Sequence, residues 1–136
     1  MMSSILLVED NEDDVFAFKW AFKKTQIETD LRVVTDGQRA LDYLGAASNS
    51  NDPESFPMPA LVFLDLKLPY VSGHEILEWM KSKPELQSIP VVILSGSDEE
   101  RDHELAGKNG AQAYLVKPAT PDQLKSLVES LVVTAA

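Results

Sequence analysis

The sequence predicts an α/β domain in which a parallel sheet carries helices on both faces. Three observations lead there. Five short apolar runs are unbroken rather than alternating, as expected of strands buried on both faces. The segments between them show apolar residues at helical spacing, so strand and helix alternate along the chain. No internal repeat or low-complexity tail interrupts that order. At 136 residues the chain is expected to form one domain over 1–136, with its core over about 4–133.

The elements follow in order. Ile5-Leu6-Leu7-Val8 is a first buried strand, ending at Glu9-Asp10. Asn11 then caps a helix, with Asp14 at its third position as the partner in a capping-box-like pair. Leu31-Arg32-Val33-Val34 is a second strand, and Asp36-Gly37 turns the chain into a helix carrying Ala40, Leu41 and Leu44. Leu61 to Leu64 form the third strand. A helix from about Ser72 to Lys81 follows, with Ile76, Leu77 and Met80 at helical spacing. Pro90 opens the fourth strand, Val91-Val92-Ile93-Leu94, which ends at Ser95. A polar helix from Asp98 to about Lys108 stops at Gly110. Ala113-Tyr114-Leu115-Val116 is the fifth strand, closed by Lys117-Pro118. Thr120-Pro121-Asp122-Gln123 is a strong helix start, and Leu124, Leu127, Val128 and Leu131 supply the buried stripe behind it.

Composition narrows the function. Twenty-two acidic against twelve basic residues give a formal charge of −10, which repels a phosphate backbone and argues against nucleic-acid binding. The same charge favours a cation or a basic partner surface. No apolar run approaches the roughly 20 residues needed to cross a bilayer, so no membrane partner is expected. The amino terminus lacks the basic segment of a signal peptide, and there are no cysteines for disulfides or thiolate metal sites. These features fit a cytoplasmic protein.

The chemistry gathers at the strand ends. Within Leu61-Val62-Phe63-Leu64-Asp65-Leu66-Lys67-Leu68-Pro69, a doubly buried strand has no cheap way to hold a carboxylate. Asp65 is therefore expected where the strand runs out, at the edge where open α/β sheets bind ligands. Right-handed crossovers bring Glu9 and Asp10, Asp65, Ser95 and Lys117 to that same edge. Three converging carboxylates repel one another, and a hard divalent cation such as Mg²⁺ relieves the repulsion. Lys117 offers a compact positive charge for a phosphoryl oxygen, and Ser95 a hydroxyl donor. A carboxylate nucleophile, a metal and an ammonium are what acyl-phosphate chemistry needs.

With these residues placed, the chain resembles a response-regulator receiver domain, the phosphoacceptor of two-component signalling. The resemblance runs from Ile5 to about Val132. It rests on Leu7-Val8-Glu9-Asp10, Asp36-Gly37, Leu64 to Pro69, Ser72-Gly73, Pro90 to Ser95, Gly110-Ala111 and Tyr114 to Pro118, in that order and spacing. It implies a flavodoxin-like sheet of order 2-1-3-4-5, with Asp65 as the phosphorylated residue. Asp10, Asp65 and the Lys67 backbone carbonyl would be the Mg²⁺ ligands, and Glu9 an outer acid acting through metal-bound water. Lys117 would hold the phosphoryl group ahead of a cis bond to Pro118. Ser95 and Tyr114 would form the switch pair, changing partner binding through the face of helix four, strand five and helix five. The implied partners are a histidine kinase or histidine phosphotransfer protein and an output protein, with a homodimer as a further possibility. The implied role is signalling, with no enzymatic turnover beyond the domain's own phosphorylation and dephosphorylation.

Two features stand apart from that pattern. The stretch 45–59, rich in Ser, Asn, Asp and Pro, is long for a helix-to-strand connection, where about 2–6 residues are usual. It is either a tolerated surface insertion or the extension that receivers paired with bacterial phytochromes carry. In the first helix, Ala17, Phe18, Ala21 and Phe22 form the core side, and Phe16 and Trp20 point nearly opposite. That pair either packs beneath a neighbouring helix or stays partly exposed as a contact surface. Two other functions compete with a phosphorylation switch. A haloacid-dehalogenase-type phosphatase would need a second Asp two residues after the nucleophile, where Lys67 stands. A scaffold that is never phosphorylated would not need the full set of site residues.

Overall fold

The computed structural model describes residues 3–49 and 53–132. Strands β1 (Ser4–Val8), β2 (Asp30–Val34), β3 (Leu61–Leu64), β4 (Val91–Ser95) and β5 (Ala113–Val116) form one parallel sheet in the order 2-1-3-4-5. Helices α1 (Glu12–Lys24), α2 (Gly37–Ser48), α3 (Gly73–Lys81), α4 (Glu100–Lys108) and α5 (Pro121–Leu131) alternate with the strands.

Alternate residues of each central strand face opposite sides, so the sheet divides the core in two. Leu6, Val8, Val62, Leu64 and Ile93 meet Ala40, Leu44, Ile76, Leu77 and Met80 from α2 and α3, with Ala106 of α4 at the margin. Ile5, Leu7, Phe63, Val92 and Leu94 meet Phe18, Ala21 and Phe22 of α1 and Leu124 and Val128 of α5. This is the doubly wound arrangement expected from the unbroken apolar strands.

Four helices begin on side chains that the sequence marks as caps. Asn11, Asp36, Ser72 and Thr120 each accept a hydrogen bond from the backbone N–H three residues on. At α5 the box is complete, since Gln123 accepts in return from the Thr120 N–H. At α1 the expected reciprocal bond is not made: the Asn11 N–H goes to Glu9 Oε2, and the Asp14 carboxylate turns towards Lys117.

Two boundaries differ from the sequence reading. The fourth helix starts at Glu100, because Ser97 and Asp98 are held in a loop by side-chain bonds, and its cap Glu99 makes no capping bond. The second helix runs on through Gly45 to Ser48 because Ala47 is buried against the core. The connection is thus shorter than 45–59, and its residues 50–52, like the predicted core end at 133, lie outside the described residues. Its later part is docked on the fold. Arg32 donates to the Glu54 and Ser55 carbonyls, Tyr43 donates to Pro57 O at 2.9 Å, and Phe56 packs edge-on against the Tyr43 ring.

Candidate functional site

The parallel sheet brings the ends of β1, β3, β4 and β5 to one edge, and backbone bonds continue past the strands to fix the residues there. Glu9 N–H donates to Val34 O, Asp65 N–H to Val8 O and Lys117 N–H to Ser95 O. The side chains of Glu9, Asp65 and Lys117 therefore leave from backbone held almost as firmly as the sheet. Gly73 completes the frame. A β-carbon there would meet the Asp65 carbonyl oxygen at 2.2 Å, so only glycine lets α3 start against the chain at Asp65.

Glu9 and Asp65 are buried, at 1% and 5% exposure, while Asp10 is open to solvent. Carboxylate oxygens of all three lie within 4.8 Å of one another. Lys117 answers this charge from the other side. Its ammonium lies 3.1 Å from Asp65 Oδ2 and 2.8 Å from Asp14 Oδ2, and it pairs with Glu9 Oε1. The other Asp65 oxygen accepts from the Lys67 N–H at 3.2 Å. Burial pushes the Glu9 carboxyl up to about 7; Lys117 opposes the shift, and the Asp65 charge adds to it. Burial pulls the Lys117 ammonium down, but its bonds to Asp14 and Glu9 and the Asp65 charge outweigh that and raise it. The pocket is short of positive charge, and its donors are hard oxygens, one of them accessible. Such a set suits a divalent cation of the Mg²⁺ or Mn²⁺ kind.

The hydroxyl and the aromatic ring of the expected switch pair are joined through one loop. Ser95 is fully buried, and its hydroxyl accepts from the Ser97 N–H at 3.2 Å. Tyr114 donates to Ser97 O at 2.7 Å, and its ring stacks on His103 of α4 with centroids 3.7 Å apart. Burial raises the Tyr114 phenol, with the Ser95 hydroxyl opposing. The peptide bond between Lys117 and Pro118 is cis. All the residues singled out by sequence therefore meet at this edge or in the loop beside it. Asp14 is the one that sequence reasoning missed. A signal was available: Asp14 stands four residues before Phe18, so it lies on the same side of α1 as that buried ring and in the turn nearest the strand ends.

Phe16 and Trp20 are exposed, at 73% and 54%, which decides against packing beneath a neighbouring helix. With Ala17, Pro118, Ala119 and Pro121 they line an open apolar groove between α1 and α5, beside the pocket.

Comparison with known proteins agrees with this geometry. The family model described as "Response regulator receiver domain" matches residues 5–129. The chain is 37% identical to the probable methanogenesis regulatory protein FilR2 of Methanothrix harundinacea, over 93% of this chain and 79% of that protein. It is 33% identical to the response regulator Rcp1 of Synechocystis sp., over 93% of this chain and 84% of that protein. The Mn²⁺-bound crystal structure of Rcp1 superposes with a TM-score of 0.80, covering 98% of this chain and 97% of that one at 30% identity. The bacteriophytochrome response regulator AtBRR superposes at 0.83, covering 100% and 97% at 38% identity. Nothing in these likenesses favours a phosphatase. The family model over residues 5–129 and relatives of 37% and 33% identity, agreeing with an acid pocket faced by a lysine at the sheet edge, place this chain in the family of response-regulator receiver domains, the phosphoacceptors of two-component signalling.

Proposed function

We propose that this chain acts as a single-domain response regulator that accepts a phosphoryl group on Asp65 from a histidine kinase or a histidine phosphotransfer protein. The observation that carries the reading is a buried Asp65 carboxylate at the end of β3, 3.1 Å from the Lys117 ammonium, in a pocket shared with Glu9 and Asp10. An Asp65 oxygen attacks phosphorus, a new P–O bond forms as the P–N bond to the donor histidine breaks, and the imidazole departs with the bond's electron pair. Lys117 meets charge on the phosphoryl oxygens, and the Ser95 hydroxyl donates to one of them. Asp10, Asp65 and the Lys67 carbonyl, with Glu9 behind them, would hold Mg²⁺, which would supply charge neutralisation for the phosphoryl group.

Phosphorylation then alters partner binding through the face of α4, β5 and α5, with Ser95 and Tyr114 as the switch pair. The output is an unidentified protein partner or a second copy of the chain, and the domain's only chemistry is its own phosphorylation and dephosphorylation. Among the described residues no helix is long and apolar enough to cross a membrane. Together with the absence of cysteines, this supports a cytoplasmic setting.

Incubation with acetyl phosphate and Mg²⁺ tests the proposal, read by intact-mass spectrometry. The native chain gains one acid-stable, base-labile phosphoryl group, and Asp65→Asn gains none. Undiminished labelling of Asp65→Asn would move the phosphosite elsewhere, and no labelling of the native chain would favour a scaffold.

A further inference from the structure

By sequence, Asp14 belongs to a helix cap, and the phosphoacceptor reading gives it no role. The structure frees it from the cap. Asn11 caps α1 by accepting from the Asp14 N–H, and the Asp14 carboxylate instead reaches Lys117, with Oδ2 2.8 Å from Nζ.

A lysine ammonium has three N–H donors and no acceptor. Lys117 donates to Asp14 and Asp65 and stands in ion-pair contact with Glu9 Oε1, so its charge is shared among three carboxylates before any phosphoryl group arrives. A phosphoryl oxygen competes for the ammonium with the carboxylates already on it. The three differ in what release costs. Asp65 becomes the acyl phosphate, so its place at the ammonium passes to the phosphoryl group it carries, whereas the Glu9 side chain is 1% exposed and its release leaves a buried polar group without a partner. The Asp14 side chain is 40% exposed, so on release its carboxylate is taken up by water.

The geometry points to Asp14 as the counter-ion that a phosphoryl group displaces from Lys117. It is a positioning residue: at rest it steadies the ammonium over the pocket, and on phosphorylation it competes with the phosphoryl oxygens and gives way. This rests on Asp65 being the phosphoacceptor. Removing the Asp14 charge leaves Lys117 a spare donor and lowers the negative potential around an anion site, so a phosphoryl mimic should bind more tightly. A merely structural role predicts something different. An acid in the first turn of a helix stabilises it through the macrodipole, so losing the acid would lower thermal stability and leave anion affinity alone.

The test is a titration of the full chain with beryllofluoride at saturating Mg²⁺, followed by amide chemical shifts, for the native protein, Asp14→Asn, Asp14→Glu and Asp65→Asn. Asp14→Ser serves as a second charge-free variant should Asp14→Asn fold poorly. Asp14→Asn should bind about 1.5- to 5-fold more tightly than native, the range expected for loss of a partly exposed ion pair. Asp14→Glu, which restores the charge, should return towards native affinity. Unchanged or weaker binding by both charge-free variants overturns the inference, provided the native chain binds and Asp65→Asn does not. Failure of the native chain to bind beryllofluoride overturns this inference and the phosphoacceptor reading together.

Discussion

A carboxyl raised to about 7, as burial raises Glu9, is partly protonated at neutral pH in the metal-free protein. Its value in the folded chain lies above its ordinary 4.5, so its stabilising contribution is fully present below about pH 4 and is lost as pH climbs through 7. A divalent cation favours the ionised acid and offsets that loss. The rise in melting temperature on adding Mg²⁺ should therefore be greater at about pH 8 than at about pH 6, and Glu9→Gln should flatten the difference. An equal rise at both values would mean that Glu9 does not feel the metal. At this scale the sequence was legible wherever charge and burial conflict. Asp65 announces itself because five apolar neighbours crowd it. Asp14 is quieter, since three acids in a row at a helix start already have a local explanation.

Among the elements, α4 is held by polar bonds where its neighbours are held by packing. Ala106 is its one buried residue, and Leu105 is 42% exposed. Asp102 instead accepts from the Ser97 hydroxyl at 2.7 Å and faces His74 of α3, and His103 lies on Tyr114. Few apolar contacts make an element easy to open. Hydrogen exchange should be fastest in α4 among the helices and should change between about Asp98 and Lys117 when beryllofluoride binds; an unaltered pattern there would refute the switch route. At α5, Thr120→Ala should cost about 1 kcal/mol in chemical denaturation, since it removes one side of a complete capping box. Caps of this kind can be read from sequence because they need only three or four neighbouring residues. The end of α2 cannot, because Gly45, Ser48 and Asn49 locally favour a loop and it is the burial of Ala47, decided by distant strands, that prolongs the helix.

Across the whole molecule, the sheet sorts its surroundings into an acidic edge, a flank at α4 with few apolar contacts and a well-packed flank at α1 and α5. Phe16 and Trp20 lie on the well-packed flank and outside the core. Replacing both by Ser should leave the melting temperature within about 4 °C and small-donor labelling intact, while phosphotransfer from a partner kinase slows. A sharp loss of stability would return the two rings to the core. Sheet order and layering were legible because doubly buried strands tolerate little besides apolar residues. The docking of 53–57 onto Arg32 and Tyr43 was not, since it depends on residues more than ten positions away.

The Lys117 backbone is tied to Ser95 on one side and, three residues later, meets a helix start locked by Thr120 and Gln123. With both ends of that short segment anchored, an exchange of partners at the ammonium needs only the four-carbon arm to swing. Swinging one side chain displaces far fewer atoms than shifting a helix, which takes microseconds or longer. On the phosphorylation proposed above, capture of the phosphoryl group would therefore precede any rearrangement of α4. The pocket would equilibrate first, and the slower flank would then sample its positions against a charge distribution already settled.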